Sequence, residues 1–229
     1  MARRMFELVE PVGVIPYSAD EPNEAMFALG FTNYWDLYFA GRAAPLGLVP
    51  AEVVDALFYN FAPGEVARHI PRVWRTTTPE LAIAARQIGC VKALRRILGD
   101  RVDSPAFARA AELLIKAATS APFEGRPMYA ALRAIPVPDE VVARLFHAAS
   151  RIHHLPAAQL AAVIDGMRDR GLIGDDGWLS EQGRAVKQRI ESLTDDLAAR
   201  PYESLEPGEL VELIATLEPL ATLLLAAQD

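Results

Sequence analysis

Residues 139–199 read DEVVARLFHAASRIHHLPAAQLAAVIDGMRDRGLIGDDGWLSEQGRAVKQRIESLTDDLAA, and this stretch decides the fold class. Two amphipathic runs, 139–153 and 157–170, meet at a short break around Pro156. Apolar residues recur in both at three- and four-residue spacing, which marks a helix with one buried face. A small hairpin is expected next, Leu172-Ile173 and Trp178-Leu179 around Gly174-Asp175-Asp176-Gly177. A Gly/Asp cluster between short apolar pairs is turn chemistry. Ser180 then opens a third helix over 180–199. The order is helix, turn, helix, hairpin, helix.

That order is the winged-helix pattern. Arg170-Gly171-Leu172-Ile173 and Leu179-Ser180-Glu181-Gln182-Gly183 resemble the RGLI…LTxxG signature of MarR-type regulators. The resemblance implies a MarR-like C-terminal part and, because such proteins pair through terminal helices, a homodimer. The last run carries Leu210, Leu213, Ile214, Leu217, Leu220, Ala221, Leu224 and Leu225 on a wide apolar stripe. Such a stripe either caps the chain's own core or forms a dimer seam.

Upstream, seventeen prolines look hostile to helices until their places are read. Thr78-Pro79 and Ser104-Pro105 put a capping residue before a proline at the first helical position, where its missing N–H is harmless. Pro50, Pro63, Pro127, Pro138, Pro156 and Pro207 also precede periodic runs. Helices are expected near 3–16 (broken at Pro11), 20–29, 33–41, 50–61, 63–75 (disturbed at Pro71), 79–98, 104–119, 126–134 and 207–226. The spacing of Ala82, Ala85, Ile88, Gly89 and Ala93 suggests close helix packing. The fold class is therefore all-α: a multi-helix bundle followed by a winged-helix (MarR-like) segment with one small β-hairpin. The stiff Ile135-Pro136-Val137-Pro138 divides an aromatic-rich helical domain, 1–135, from a winged-helix-like domain with its C-terminal helix, 139–229.

The composition is that of a globular protein, with 52% hydrophobic and 23% charged residues. No apolar run approaches the ~18 residues of a membrane span, and the start of the chain shows no signal peptide. A single Cys90 excludes an intramolecular disulfide framework and a multi-cysteine zinc site, so a cytoplasmic, reducing setting is expected. The charge is uneven. Residues 139–229 hold 8 Arg/Lys against 16 Asp/Glu, whereas residues 1–138 hold 15 against 14. DNA affinity depends on cations meeting phosphates, and the winged-helix half carries the wrong sign for it.

Ten of the chain's 18 aromatic residues fall between Phe27 and Trp74. Among them runs Tyr38-Phe39-Ala40-Gly41-Arg42-Ala43-Ala44-Pro45-Leu46-Gly47. One arginine in a small-residue loop between rings can pair with a carboxylate such as Asp36 while the rings fill a core. It can also be the lone cation of an apolar pocket for an acidic ligand. The candidate ligand-binding residues are Trp35, Tyr38, Phe39, Arg42, Phe58, Phe61, His69 and Trp74. Two basic sets, Arg68/Arg72/Arg75 and Arg86/Lys92/Arg95/Arg96/Arg101, read either as solvated helix faces or as an anion site shared with Arg42.

YFAGRAAPLG, followed by Phe61-Ala62-Pro63, Val66, Arg68, Pro71 and Trp74, is similar to the uncharacterised actinobacterial helix-turn-helix family labelled SalK-like. The similarity runs from Leu8-Val9-Glu10-Pro11 to Thr194-Asp195. It implies an all-α protein with a MarR-like C-terminal part and carries no settled activity. Longer relatives have a segment resembling GHxxHVAAL before the winged helix. Here Ile152-His153-His154-Leu155-Pro156 runs almost directly into the next helix.

No catalytic motif stands out. GxSxG, GxGxxG and GxxxxGK[ST] are missing, and Cys90 sits in the apolar run Ile88-Gly89-Cys90-Val91. His147 and His154 lie two helical turns apart and can share a face, but no nearby carboxylate completes a metal site. The helix expected to read DNA offers only Gln159, Arg168 and Arg170 beside Asp165 and Asp169, and the hairpin tip is Asp175-Asp176. The sequence therefore favours a non-catalytic small-molecule-binding protein on a degenerate winged-helix scaffold, taking a small apolar or acidic ligand, with no cofactor, no metal and no membrane. The alternatives are a MarR-type ligand-responsive regulator that binds DNA, and a secondary-metabolism enzyme with Tyr38, Arg42 and His69 about its pocket.

Overall fold

A computed structural model describes residues 2–123, 125–154, 170–172 and 178–227. Twelve α-helices occur among them: α1 (Ala2–Gly13), α2 (Ile15–Ser18), α3 (Asp20–Phe27), α4 (Tyr34–Ala43), α5 (Ala51–Leu57), α6 (Glu65–His69), α7 (Pro79–Leu98), α8 (Pro105–Ser120), α9 (Pro127–Ala134), α10 (Val141–His153), α11 (Glu181–Ala199) and α12 (Pro207–Ala226). The chain is all-helical, and no strand is found among the described residues. The expected helix 157–170 and the hairpin turn 173–177 lie outside the described residues, apart from Arg170.

Capping chemistry sets the helix starts. Thr78 accepts a hydrogen bond from the Leu81 N–H, and Ser104 accepts one from the Phe107 N–H. Asn33 does the same for Asp36 at α4, and the Glu140 carboxylate for Ala143 at α10. Pro79, Pro105, Pro127 and Pro207 all stand in a first turn. At each of these starts at least one N–H without a helical partner is accepted by a side chain or removed by proline.

Two expectations about proline part ways. Pro71 does end a helix: Ile70 is extended at φ −92°, ψ 128°, as residues before proline prefer, and a 3-10 turn, Arg72–Arg75, follows. Pro11 does not break α1, which continues to Gly13. It costs a bond only in the last turn, while Met5, Leu8, Val9 and Val12 are all buried against α10 and α12.

Helix α7 runs through both cores. Its first half contributes Ala82 and Ala85 to an aromatic core with Met26, Phe31, Leu37, Phe39, Val54, Phe58, Val66, Ile70 and Val73. Its second half contributes Cys90, Ala93, Leu94 and Leu98 to a larger core with α1, α8, α10 and α12. That larger core contains residues from both sides of the 135–138 connector. Gly89 marks where α3 crosses α7, since a Cβ there would lie 2.5 Å from the Glu21 carbonyl oxygen. On α12, Leu213, Leu217, Leu220, Ala221 and Leu224 are buried in the larger core, so this part of the stripe caps the chain's own interior. Val211 and Leu225 on α12, and Ile190 and Leu193 on α11, remain exposed.

The RGLI…LSEQG motif has a physical basis in its described part. Ser180 caps α11 through the Gly183 N–H, while its own hydroxyl donates to Gly171 O at 2.8 Å and its N–H to Leu172 O at 3.0 Å. Gly183 packs so tightly on the Leu172 carbonyl that any Cβ would collide with it. The two ends of the expected hairpin are thus tied together.

Candidate functional site

The C-terminal turn of α4 meets the middle of α7 and the end of α10, and three cavities that share Arg42 and His154 open there. The innermost, about 50 Å³, is lined by Arg42, Ile83, Arg86, Gln87, Met128, Leu132, Phe146, His147, Ser150 and His154 among others. A cleft of about 420 Å³ opens past Phe6, Val14, Tyr17, Tyr38, Arg42, His153 and His154. Another of about 340 Å³ opens past Ala56–Tyr59, Gly125–Met128, Arg42 and His154. Arg42 and His154 line all three.

Arg42 lies one helical turn after Tyr38, and its Nη1 donates to the Tyr38 hydroxyl at 2.7 Å. Its guanidinium sits 4.4 Å from the Phe58 ring centre, a cation–π distance, and 5.7 Å from that of Phe61. Its Nε is buried without a partner. Arg86, on the buried side of α7, donates from Nη1 to Gly41 O at 2.9 Å and lies 5.1 Å from the Tyr17 ring centre. Neither arginine pairs with a carboxylate, and no Asp or Glu lines any of the three cavities among the described residues.

Three further polar groups, His147, His154 and Tyr38, are held in their neutral forms. Burial, then the neighbouring Arg151, holds His147 down to about 4. It is 6% exposed, and its Nε2 is buried with no hydrogen-bond partner. Burial, followed by His153, Arg86 and Arg42, holds His154 down to about 3. His153 turns away, its Nδ1 2.6 Å from the Glu10 carboxylate. Burial, the largest influence on Tyr38, raises its hydroxyl and keeps it protonated. The junction is therefore a net-positive, partly enclosed space with unused donor capacity.

The sequence-derived candidates fall into three groups. Trp35, Tyr38, Phe39, Phe58 and Phe61 form a linked cluster of rings. Of these, Tyr38 and Phe58 line the clefts beside Arg42, whereas Phe39 is wholly buried and Trp35 is half exposed. His69 stacks on Phe39 at 4.5 Å and contacts Asp36 Oδ1 at 2.7 Å, and it is not among the residues lining the cavities at Arg42. Trp74 packs against the aromatic core with its Nε1 unpartnered. The anticipated Arg42–Asp36 pair does not form, because Asp36 is held by His69, Arg72 and Asn33. Gln159 and Arg168 lie outside the described residues, and Arg170 is exposed.

Arg86 and the two histidines complete the site beyond the sequence-derived residues. Their signal was positional: Arg86 falls within the Ala82/Ala85/Gly89/Ala93 stripe and His147 within Val142/Phe146/Ala149, both buried faces. The other members of the basic sets behave as surface charges, with Arg68 on Glu65, Arg72 on Asp36, Arg95 on Glu140 and Arg96 on Glu21.

A family model described as a helix-turn-helix family matches residues 2–153 and 150–229. The chain belongs to this helix-turn-helix family. No curated protein and no solved structure matches it. Both matched segments contribute to the junction, the first through α4, α7 and α10 and the second through the end of α10. Among the described residues of this helix-turn-helix protein, no helix is long and apolar enough to cross a membrane, and no cluster of three His, Cys, Asp or Glu could hold a metal.

Proposed function

We propose that the chain is a non-catalytic small-molecule-binding protein built on a degenerate winged-helix scaffold, and that its site is the Arg42–Arg86 junction. One observation carries this: two arginines, partly desolvated and without a carboxylate, border a cavity beside the unpartnered Arg42 Nε and His147 Nε2. Buried polar groups are ordinarily satisfied, and unsatisfied atoms on residues that line a cavity are what a bound ligand would complete with a small side-chain shift. An apolar acid suits the mixture of Ile83, Met128, Leu132 and Phe146 with two cations. The test is thermal melting with a panel of apolar acids. At 100 times its Kd a ligand stabilises by about 2.7 kcal/mol, or about 5–10 °C in a chain of this size. No shift with any acid counts against the proposal.

The alternative, a MarR-type regulator that responds to such a ligand, is supported by family membership and by the backbone bond from the Ser180 N–H to Leu172 O, which brings the two flanks of segment 173–177 together. Salt-sensitive gel shifts on its own upstream DNA would establish it, with Gln159, Arg168 and Arg170 as the base-reading set. The enzymatic alternative has least support, because His69 is engaged by Asp36 while Tyr38 and Arg42 face the clefts. The finer SalK-like placement, the homodimer and a cytoplasmic location belong to the same proposal. The exposed apolar side chains Val211, Leu225, Ile190 and Leu193, and the single buried Cys90, speak for the last two.

A further inference from the structure

We propose that the junction binds an apolar monocarboxylate together with a proton, the carboxylate seated at Arg42 and Arg86 and the proton taken up by His154. This rests on the ligand-binding proposal above and adds the charge state of the ligand and the stoichiometry of the proton.

The geometry supports one small anion. The inner cavity, about 50 Å³, has room for a group of carboxylate size, and the clefts of about 420 and 340 Å³ leave space for an apolar body. Each arginine already spends one N–H, Arg42 on the Tyr38 hydroxyl and Arg86 on Gly41 O. Each guanidinium keeps further N–H donors for a carboxylate, whose two oxygens match the planar fork. His147 Nε2, unpartnered and buried, supplies a further polar contact.

The proton follows from the field at His154. Among the described residues, the titratable or charged groups that line a cavity together with it are Arg42 and Tyr38 from α4, Arg86 from α7, Tyr17 from α2, Tyr59 and Arg126 in the third cavity, and His147 and His153 from α10. Among the described residues none of these is an acid, and the Glu10 carboxylate is taken by His153. Burial and three cationic or basic neighbours hold His154 neutral. A carboxylate seated among those neighbours reverses the sign of the field and gives imidazolium an ion-pair partner. If His154 returns from about 3 to its ordinary 6.5 in the complex, uptake at pH 5.5 is about 0.9 proton and at pH 8 about 0.03. Affinity then tightens about tenfold from pH 8 to pH 5.5, a range over which benzoate stays ionised.

The test is calorimetric titration of the full chain with benzoate and with benzamide, each in two buffers of different ionisation enthalpy at pH 5.5 and pH 8. Expected is benzoate binding with nearly one proton taken up at pH 5.5, lost in His154→Gln and retained in His153→Gln. If His154→Gln does not fold, the 15N shifts of the wild-type histidine rings, titrated with and without benzoate, read the same proton. Benzoate binding without proton uptake, or with a proton that lands on another histidine, overturns this inference and leaves the ligand site standing. No benzoate binding, or equal binding of benzamide, overturns the carboxylate site itself.

Discussion

Replacing Gly89 with alanine tests the packing that sets Arg86 in place. On an open helix face, Gly→Ala stabilises by roughly 0.5–1 kcal/mol, because alanine loses less backbone freedom. At Gly89 the sign should reverse. The new Cβ would lie 2.5 Å from the Glu21 carbonyl oxygen and 2.6 Å from the Pro22 nitrogen, both rigid backbone atoms. Ordinary contact begins near 3.4 Å, so α3 would have to move by most of an ångström against α7. Overpacking of this kind costs about 1–3 kcal/mol, and more than offsets the propensity gain. The displacement also reaches the site, because Arg86 is one turn from Gly89 and lies against Tyr17, just before α3. Gly208, in the first turn of α12 with nothing within 4 Å of its would-be Cβ, is the internal control. Thermal melting should show Gly89→Ala falling by about 2–10 °C and Gly208→Ala unchanged or higher. A Gly89→Ala protein that melts at or above the parent would refute the close crossing of α3 and α7.

Other outcomes follow from single residues. Arg151, 2% exposed, donates to the carbonyls of Leu132, Arg133 and Ile135 and so pins the end of α9 to α10; Arg151→Met strands these acceptors and should cost about 3 kcal/mol in chemical denaturation. Glu209 is held down to about 2, first by Lys116, then by the Glu206 N–H and Arg109. Its folded value lies below the ordinary 4.5, so its stabilisation is present above pH 4.5 and lost as pH falls toward 2. Glu209→Gln should therefore melt lower than the parent at neutral pH, with the gap closing across that acid range. Cys90, fully buried with its thiol pushed up to about 12, should resist a thiol reagent at pH 8 until guanidinium unfolds the chain.

Helix positions were legible because their punctuation is local. Thr78-Pro79, Ser104-Pro105 and Glu206-Pro207 announce helix starts through capping atoms a few residues away. Pro11 misled because burial of Met5, Leu8, Val9 and Val12 against distant helices outweighs one lost bond, and no local signal reports those partners. The site was half legible. Arg42 stood out as a lone cation among rings, yet the rings proved to be largely its floor: Phe39 is core, and Phe58 lies flat under the guanidinium. Arg86 reads from sequence either as a solvated helix charge or as part of an anion site shared with Arg42, and its set-mates Arg95 and Arg96 prove to be surface ion pairs. Only its register in the small-residue stripe set it apart, and that register acquires meaning once α4 is seen to pack there. The convergence of α4, α7 and α10 is a long-range property that spacing alone does not encode.

The most direct measurement is the anomalous signal of bromine in crystals of the protein grown with 4-bromobenzoate. A single bromine site is expected in the clefts beside Phe58 or Tyr38, with the carboxylate within hydrogen-bond reach of Arg42 and Arg86. Bromine bound elsewhere, or a junction left vacant at saturating concentration, would contradict it.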